Sequence, residues 1–262
     1  MTSVAFLLAC VATTVIAVLL APTVLGSARW STRHPATALT LWCIAFAAGL
    51  LAPAVALVLV LVQTVGSGRG GAESGTAVLV AALGSWAGLA GFGGLASLIL
   101  TRAEPLSADH RRSDAALTLL AATATRHREW IGRVQVLHVR SDLPLAVCLP
   151  GGGGRILLTT GLSEALSVGQ RRAVIAHELA HLRGRHGWIA RLVRLNAAVL
   201  PRFSGAPRFE RTCGLLIELA ADDAAARDCG ADDVAGALRA MAALDPDEGL
   251  LLRARRVETA PP

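Results

Sequence analysis

Three stretches of this chain, 4–25, 38–62 and 76–100, contain no Asp, Glu, Lys, Arg or His. Each reaches the roughly 20 apolar residues that a bilayer-spanning helix needs, so three transmembrane helices are expected. The missing ionisable groups also disfavour transport, because a proton relay or ion pathway has no side chains to run on. No Lys or Arg precedes the first stretch, and its apolar run is longer than the core of a signal peptide, so a retained helix is expected there. Lysine is absent, which makes every basic residue an arginine. The net charge is +6, but no basic stripe is interleaved with stacking aromatics, and nucleic acid is not an expected partner. The five cysteines show no CxxC spacing, which argues against a disulfide framework or a cysteine-rich zinc site and fits a reducing compartment.

What is present is unevenly distributed. Hydrophobic residues make up 53% and mean hydropathy is +0.54, too apolar for an ordinary soluble domain. Arg29 and Arg33 lie between the first two apolar stretches, Arg69 is offset by Glu73, and Arg102, Arg111 and Arg112 follow the third. By the positive-inside rule the chain is a multi-pass protein of the cell membrane, with everything after Leu100 in the cytoplasm. Residues 101–114 are polar and contain Pro105, which reads as a juxtamembrane linker. A domain is expected over 115–245, with 246–262 as a loosely ordered tail. Within it, the patterns predict a helix over 113–128 and a strand at 134–139. A hairpin follows, 145–149 with 155–159, turning through Gly151–Gly154. The strand Arg155, Ile156, Leu157, Leu158 and Thr159 is expected to offer a free sheet edge to which an extended peptide can add.

One motif carries chemistry. In Ala176-His177-Glu178-Leu179-Ala180-His181 two imidazoles stand four residues apart, with a carboxylate directly after the first. At about 3.6 residues per helical turn His177 and His181 share a face and can hold one metal ion. Glu178 is one step round, placed to act as general base on a water rather than as a ligand. Ser167 and Gln170 form a capping box that starts this helix at Val168, with its end expected near Arg185. Arg171, Arg172, Arg183 and Arg185 flank the histidines, which puts the motif in water rather than hydrocarbon.

A catalytic zinc site wants a third protein ligand. His186 is one residue short of the spacing that a third histidine would need, and is read as a helix-terminal residue. Glu218 and Asp222, four apart on a later helix, are the better pair. Glu218 is the expected ligand, and Asp222 the partner that accepts the free N–H of a ligating histidine. Arg211 and Arg227 are candidate helpers for a developing oxyanion.

With apolar spans, a strand hairpin, His177-Glu178-Leu179-Ala180-His181 and Glu218-Leu219-Ala220-Ala221-Asp222-Asp223 in this order, the chain resembles the BlaR/MecR family of integral-membrane zinc metallopeptidases. That family is related to the HtpX-type and CAAX prenyl endopeptidase-type enzymes. The resemblance implies an α-helical membrane region joined to an α+β, gluzincin-like metallopeptidase domain with a small sheet and an HExxH helix. It implies zinc as cofactor, His177, His181 and Glu218 as its ligands, Glu178 as general base and Asp222 behind the ligands. It also implies a protein or peptide substrate, either a transcriptional repressor in regulated proteolysis or a misfolded membrane protein. A non-catalytic signal transducer with a structural metal domain is the alternative. HtpX-type relatives carry Arg three residues before the metal-binding Glu, where this chain has Leu215.

Overall fold

The computed structural model describes residues 8–10, 12–14, 16, 29–67, 75–149, 154–201 and 205–259. The chain divides into two compact units. One combines residues up to Ser31 with Thr37–Pro105 and Val193–Thr212; the other combines Thr32–Ala36, Leu106–Leu192 and Cys213–Pro262.

In the first unit a short helix, α1 (Arg29–Arg33), precedes α2 (Pro35–Ser67) and the start of α3 (Gly75–Ala124). Two helices among the described residues are long and apolar enough to cross a bilayer, over Pro35–Leu59 and Ala82–Ala124. Large apolar side chains such as Leu51, Val58, Leu83 and Trp86 are exposed along them, an arrangement that suits a hydrocarbon solvent better than water. Beyond short helical pieces, the expected span over 4–25 lies outside the described residues. Phe209 stacks on Phe46 and lies tilted against Trp42, with ring centroids 5.5 and 4.9 Å apart, which ties Phe209 to α2.

The stretch 101–114 is not a loop. It is part of α3, with Pro105 inside the helix. Proline removes one helical hydrogen bond, but the contacts Arg112–Asp109, Arg111–Ser107 and His110–Asp114 are three- and four-residue pairs that hold the next turns. Nor does a helix reach Arg128: α3 ends at Ala124, and β1 (Thr125–Ile131) pairs with β2 (Val134–Val139). Gly132, at φ +61, makes the tight turn between them.

Strands β3 (Ala146–Leu149) and β4 (Arg155–Thr159) complete a four-stranded mixed sheet in the order β1-β2-β4-β3. Of the turn expected over Gly151–Gly154, only Gly154 is among the described residues. This order corrects the expectation for Arg155, Ile156, Leu157 and Leu158. β4 is parallel to β2 on one side and antiparallel to β3 on the other, so its main chain is already paired along both edges. The open edge beside it belongs to β3. Side chains alternate across the sheet: Val136, Ile156 and Leu158 pack with Leu162, Val174, Ile175 and Leu179 on one face. Leu137, Val139, Leu149 and Leu157 pack with Ala121 on the other. Thr159, wholly buried at the end of β4, donates its hydroxyl proton to Leu143 O and accepts from the Leu145 and Leu162 amides. One side chain thus ties the β3 approach to the start of α4 (Thr160–Ala165).

The helices that follow are α5 (Val168–Arg183), α6 (His186–Val199), α7 (Gly205–Cys229), α8 (Ala231–Leu244) and α9 (Glu248–Thr259). Ser167 and Gln170 form the expected capping box. α5 stops at Arg183, short of Arg185, because Gly184 caps it and Arg185 turns into the left-handed region at φ 51. α5, α7, α8 and α9 meet through a core of Ala173, Ala176, Ala225, Ala235 and Ala254 with Val234, Leu238 and Val257. Alanines at these contacts let the helix backbones approach closely. The tail expected to be loose over 246–262 is therefore helical to Thr259, with Ala254 and Val257 buried.

Candidate metal centre

α5 presents His177 and His181 from successive turns on one face, and α7 presents Glu218 opposite them. Their Nε2 atoms are 3.0 Å apart, and the Glu218 carboxylate lies 3.5 Å from His177 Nε2 and 3.6 Å from His181 Nε2. One ligand atom from each falls within 4.8 Å of the others. Donors about 2.0–2.2 Å from a tetrahedral ion stand about 3.3–3.6 Å from one another. The 3.5 Å distance runs to Glu218 Oε2 and the 3.6 Å distance to Oε1, so each imidazole has one carboxylate oxygen at about the separation that one zinc ion would require. Two imidazoles and a carboxylate, with no thiolate among them, are also the donor set of an open catalytic zinc site rather than a closed structural one.

Behind these atoms lies a layer of buried charge. His177 Nδ1 is 3.0 Å from Asp222 Oδ1, and Asp222 is wholly buried. A buried carboxylate without partners is costly, and α9 supplies the partner: Arg253 donates from Nε and Nη2 to both Asp222 oxygens, at 2.8 and 2.7 Å. Its Nη1 reaches Glu218 Oε2 at 2.9 Å. One guanidinium thus holds the third candidate ligand and the acceptor behind the first. Next along, Arg256 makes a two-pronged pair with Asp223 and donates from Nε to the Thr32 carbonyl. Among the described residues the arginine that bonds Glu218 is Arg253. Sequence reasoning missed it because residues 246–262 looked unstructured; Arg253 and Arg256, on one side of a helix, were the available signal.

Glu178 lies on the sheet side of α5. Its carboxylate and main-chain carbonyl both face Cys148 of β3, whose thiol is 3.1 Å from Oε2 and 3.2 Å from the carbonyl oxygen. Burial, then the neighbouring Glu178 charge, raise the thiol pKa well above its ordinary value. Cys148 therefore stays protonated and donates to the carboxylate. Burial also raises Glu178, which keeps this carboxyl basic enough to accept a proton. His186, the first residue of α6, is buried with Nδ1 3.0 Å from His181 Nδ1.

The charges around the histidines would set how the site takes up a metal ion. Burial disfavours a charged His177, but hydrogen bonds and charge from Asp222 and Glu218 outweigh it and raise its pKa to about 9. His181 is held at about 4 by burial and by the positive charge at His177. Glu218 and Asp222 are desolvated too, yet His177 and Arg253 bring both below their ordinary values. In the metal-free protein the charged His177 therefore stabilises the fold below about pH 6.5, and that contribution is lost as pH rises through about 9. Metal must displace that proton. Zinc uptake at pH 7 is expected to release about one proton per ion, falling towards none above about pH 9. Calorimetric titration in buffers of different ionisation enthalpy measures this directly.

No curated protein matches the chain. Residues 136–207, which run from β2 through the helix that carries His177, Glu178 and His181 to the start of α7 and stop short of Glu218, match the model of peptidase family M48, and this stretch is similar to that family of metallopeptidases.

Proposed function

We propose that the chain is a membrane-anchored, zinc-dependent endopeptidase. The observation that carries the proposal is the convergence of His177, His181 and Glu218, which bring one ligand atom each within 4.8 Å of the others, with a Glu218 oxygen 3.5–3.6 Å from either Nε2. The similarity of residues 136–207 to peptidase family M48 supports it independently. Zinc bound by these residues would supply a Lewis acid that polarises a carbonyl and lowers the pKa of a water. Glu178 takes the proton from the attacking water and passes it to the leaving amine, while Cys148 holds the carboxylate. Asp222 accepts from His177 Nδ1–H and so turns Nε2 towards the metal. A substrate segment adds in extended form to the open edge of β3, the strand that carries Cys148 and so lies beside Glu178.

The two apolar helices of spanning length support anchoring. With the arginines that follow residue 100, they favour a peptidase unit on the cytoplasmic side. The resemblance to BlaR/MecR proteins makes a transcriptional repressor the substrate to try first. The test uses full-length protein in detergent or nanodiscs with an unstructured protein substrate. Cleavage should stop with a chelator and return with stoichiometric zinc. Zinc binding without cleavage would favour a structural metal domain in a signal transducer, and chelator-insensitive cleavage would refute the metal mechanism.

A further inference from the structure

We propose that His186 is a positioning residue for His181, accepting its Nδ1–H so that Nε2 presents a lone pair to the metal. The inference rests on reading the site as a zinc site. An imidazole can ligate through Nε2 only if its remaining proton sits on Nδ1, and that proton needs an acceptor in a buried setting. For His177 the acceptor is the Asp222 carboxylate, 3.0 Å away. At His181, among the described residues, the atom 3.0 Å from Nδ1 is not a carboxylate oxygen but Nδ1 of His186. Two ring nitrogens at that distance share one proton. If His186 donated it, the His181 proton would lie on Nε2 and face His177 Nε2 and Glu218, where the metal belongs. The arrangement that leaves the metal side open has His181 donating and His186 neutral, with its own proton on Nε2.

The local backbone delivers His186 to this place. α5 ends at Arg183 with Gly184 as its cap, Arg185 reverses the chain at φ 51, and His186 opens α6 with its ring edge-on to His181, the centroids 5.0 Å apart. Gly184 is required for this packing, because a Cβ there would stand 2.3 Å from His186 Nε2. An alanine at 184 would therefore push the ring aside while leaving the histidine in the chain.

The test is zinc affinity of the purified full-length protein, measured by competition with a chelator of known affinity. His186→Leu, which fills the space but cannot accept, is expected to weaken zinc by about ten- to a hundredfold. His186→Asn, whose side-chain carbonyl can accept, should recover part of the loss. Gly184→Ala should reproduce the loss with His186 still present. Unfolding temperatures of the zinc-free variants separate loss of fold from loss of ligand orientation. In long-range 15N–1H spectra of the zinc-loaded protein, the His181 Nδ1–H should be protected from exchange in wild type and exposed in His186→Leu. Wild-type affinity in both His186→Leu and Gly184→Ala, or a wild-type His181 that carries its proton on Nε2, overturns the inference. Absence of zinc from the wild type instead overturns the zinc reading beneath it.

Discussion

Glu178→Gln is expected to retain one zinc per chain and to lose peptide hydrolysis by at least about a hundredfold, the usual contribution of a positioned proton acceptor. Gln is nearly isosteric with Glu, so the packing of α5 on the sheet is preserved, and its amide oxygen still accepts the Cys148 S–H. What disappears is basicity. Because Glu178 is not among the three converging ligand groups, elemental analysis should give wild-type zinc. A variant that hydrolyses at the wild-type rate would show that the proton leaves the water by another route. A variant without zinc would mean that Glu178 ligates. The comparison separates the two roles that a carboxylate adjoining His177 could play.

Glu218→Ala is expected to lower zinc affinity by more than about a hundredfold, beyond the ten- to hundredfold typical of residues that merely orient ligands. It removes one of the three donors that converge among the described residues. Arg253→Leu tests the support of the same arm. With Arg253 gone, Asp222 keeps, among the described residues, His177 as its charged partner, and Glu218 loses its bond to Nη1. Removing one partner of a buried charge pair costs about 3–5 kcal/mol, so a lower unfolding temperature should accompany weaker zinc. In Glu218→Ala the Arg253–Asp222 pair survives, and the fold should be far less affected. Chemical denaturation and chelator competition on both variants distinguish a missing ligand from a missing support. Equal zinc affinity in Glu218→Ala and wild type would point to another third ligand.

Local spacing made much of this readable and strand order did not. That His177 and His181 face one way follows from helical periodicity, and the Ser167–Gln170 box that begins α5 is written in four consecutive residues. Glu218 and Asp222 could be paired by the same four-residue rule. The position of β4 could not, because parallel pairing with β2 joins residues separated by the whole β3 hairpin, and nothing local to Arg155–Thr159 distinguishes a central strand from an edge. For the same reason Cys148 looked like an isolated thiol until β3 was set against α5. Pro105 suggested a break that the surrounding helix formers and charge pairs overcome. Arg253 was the most consequential omission: a polar, Pro-ended tail looks disordered unless its buried Ala254 and Val257 are seen to share a face.

The central claim is that two imidazoles and one carboxylate of this chain hold a single zinc ion. X-ray absorption at the zinc edge of the loaded full-length protein tests it most directly. The account predicts a first shell of only nitrogen and oxygen at about 2.0–2.2 Å, two of them imidazole, with Glu218→Ala losing zinc. A sulfur scatterer at about 2.3 Å, which would bring Cys148 into the shell, or a signal from a single imidazole would contradict it.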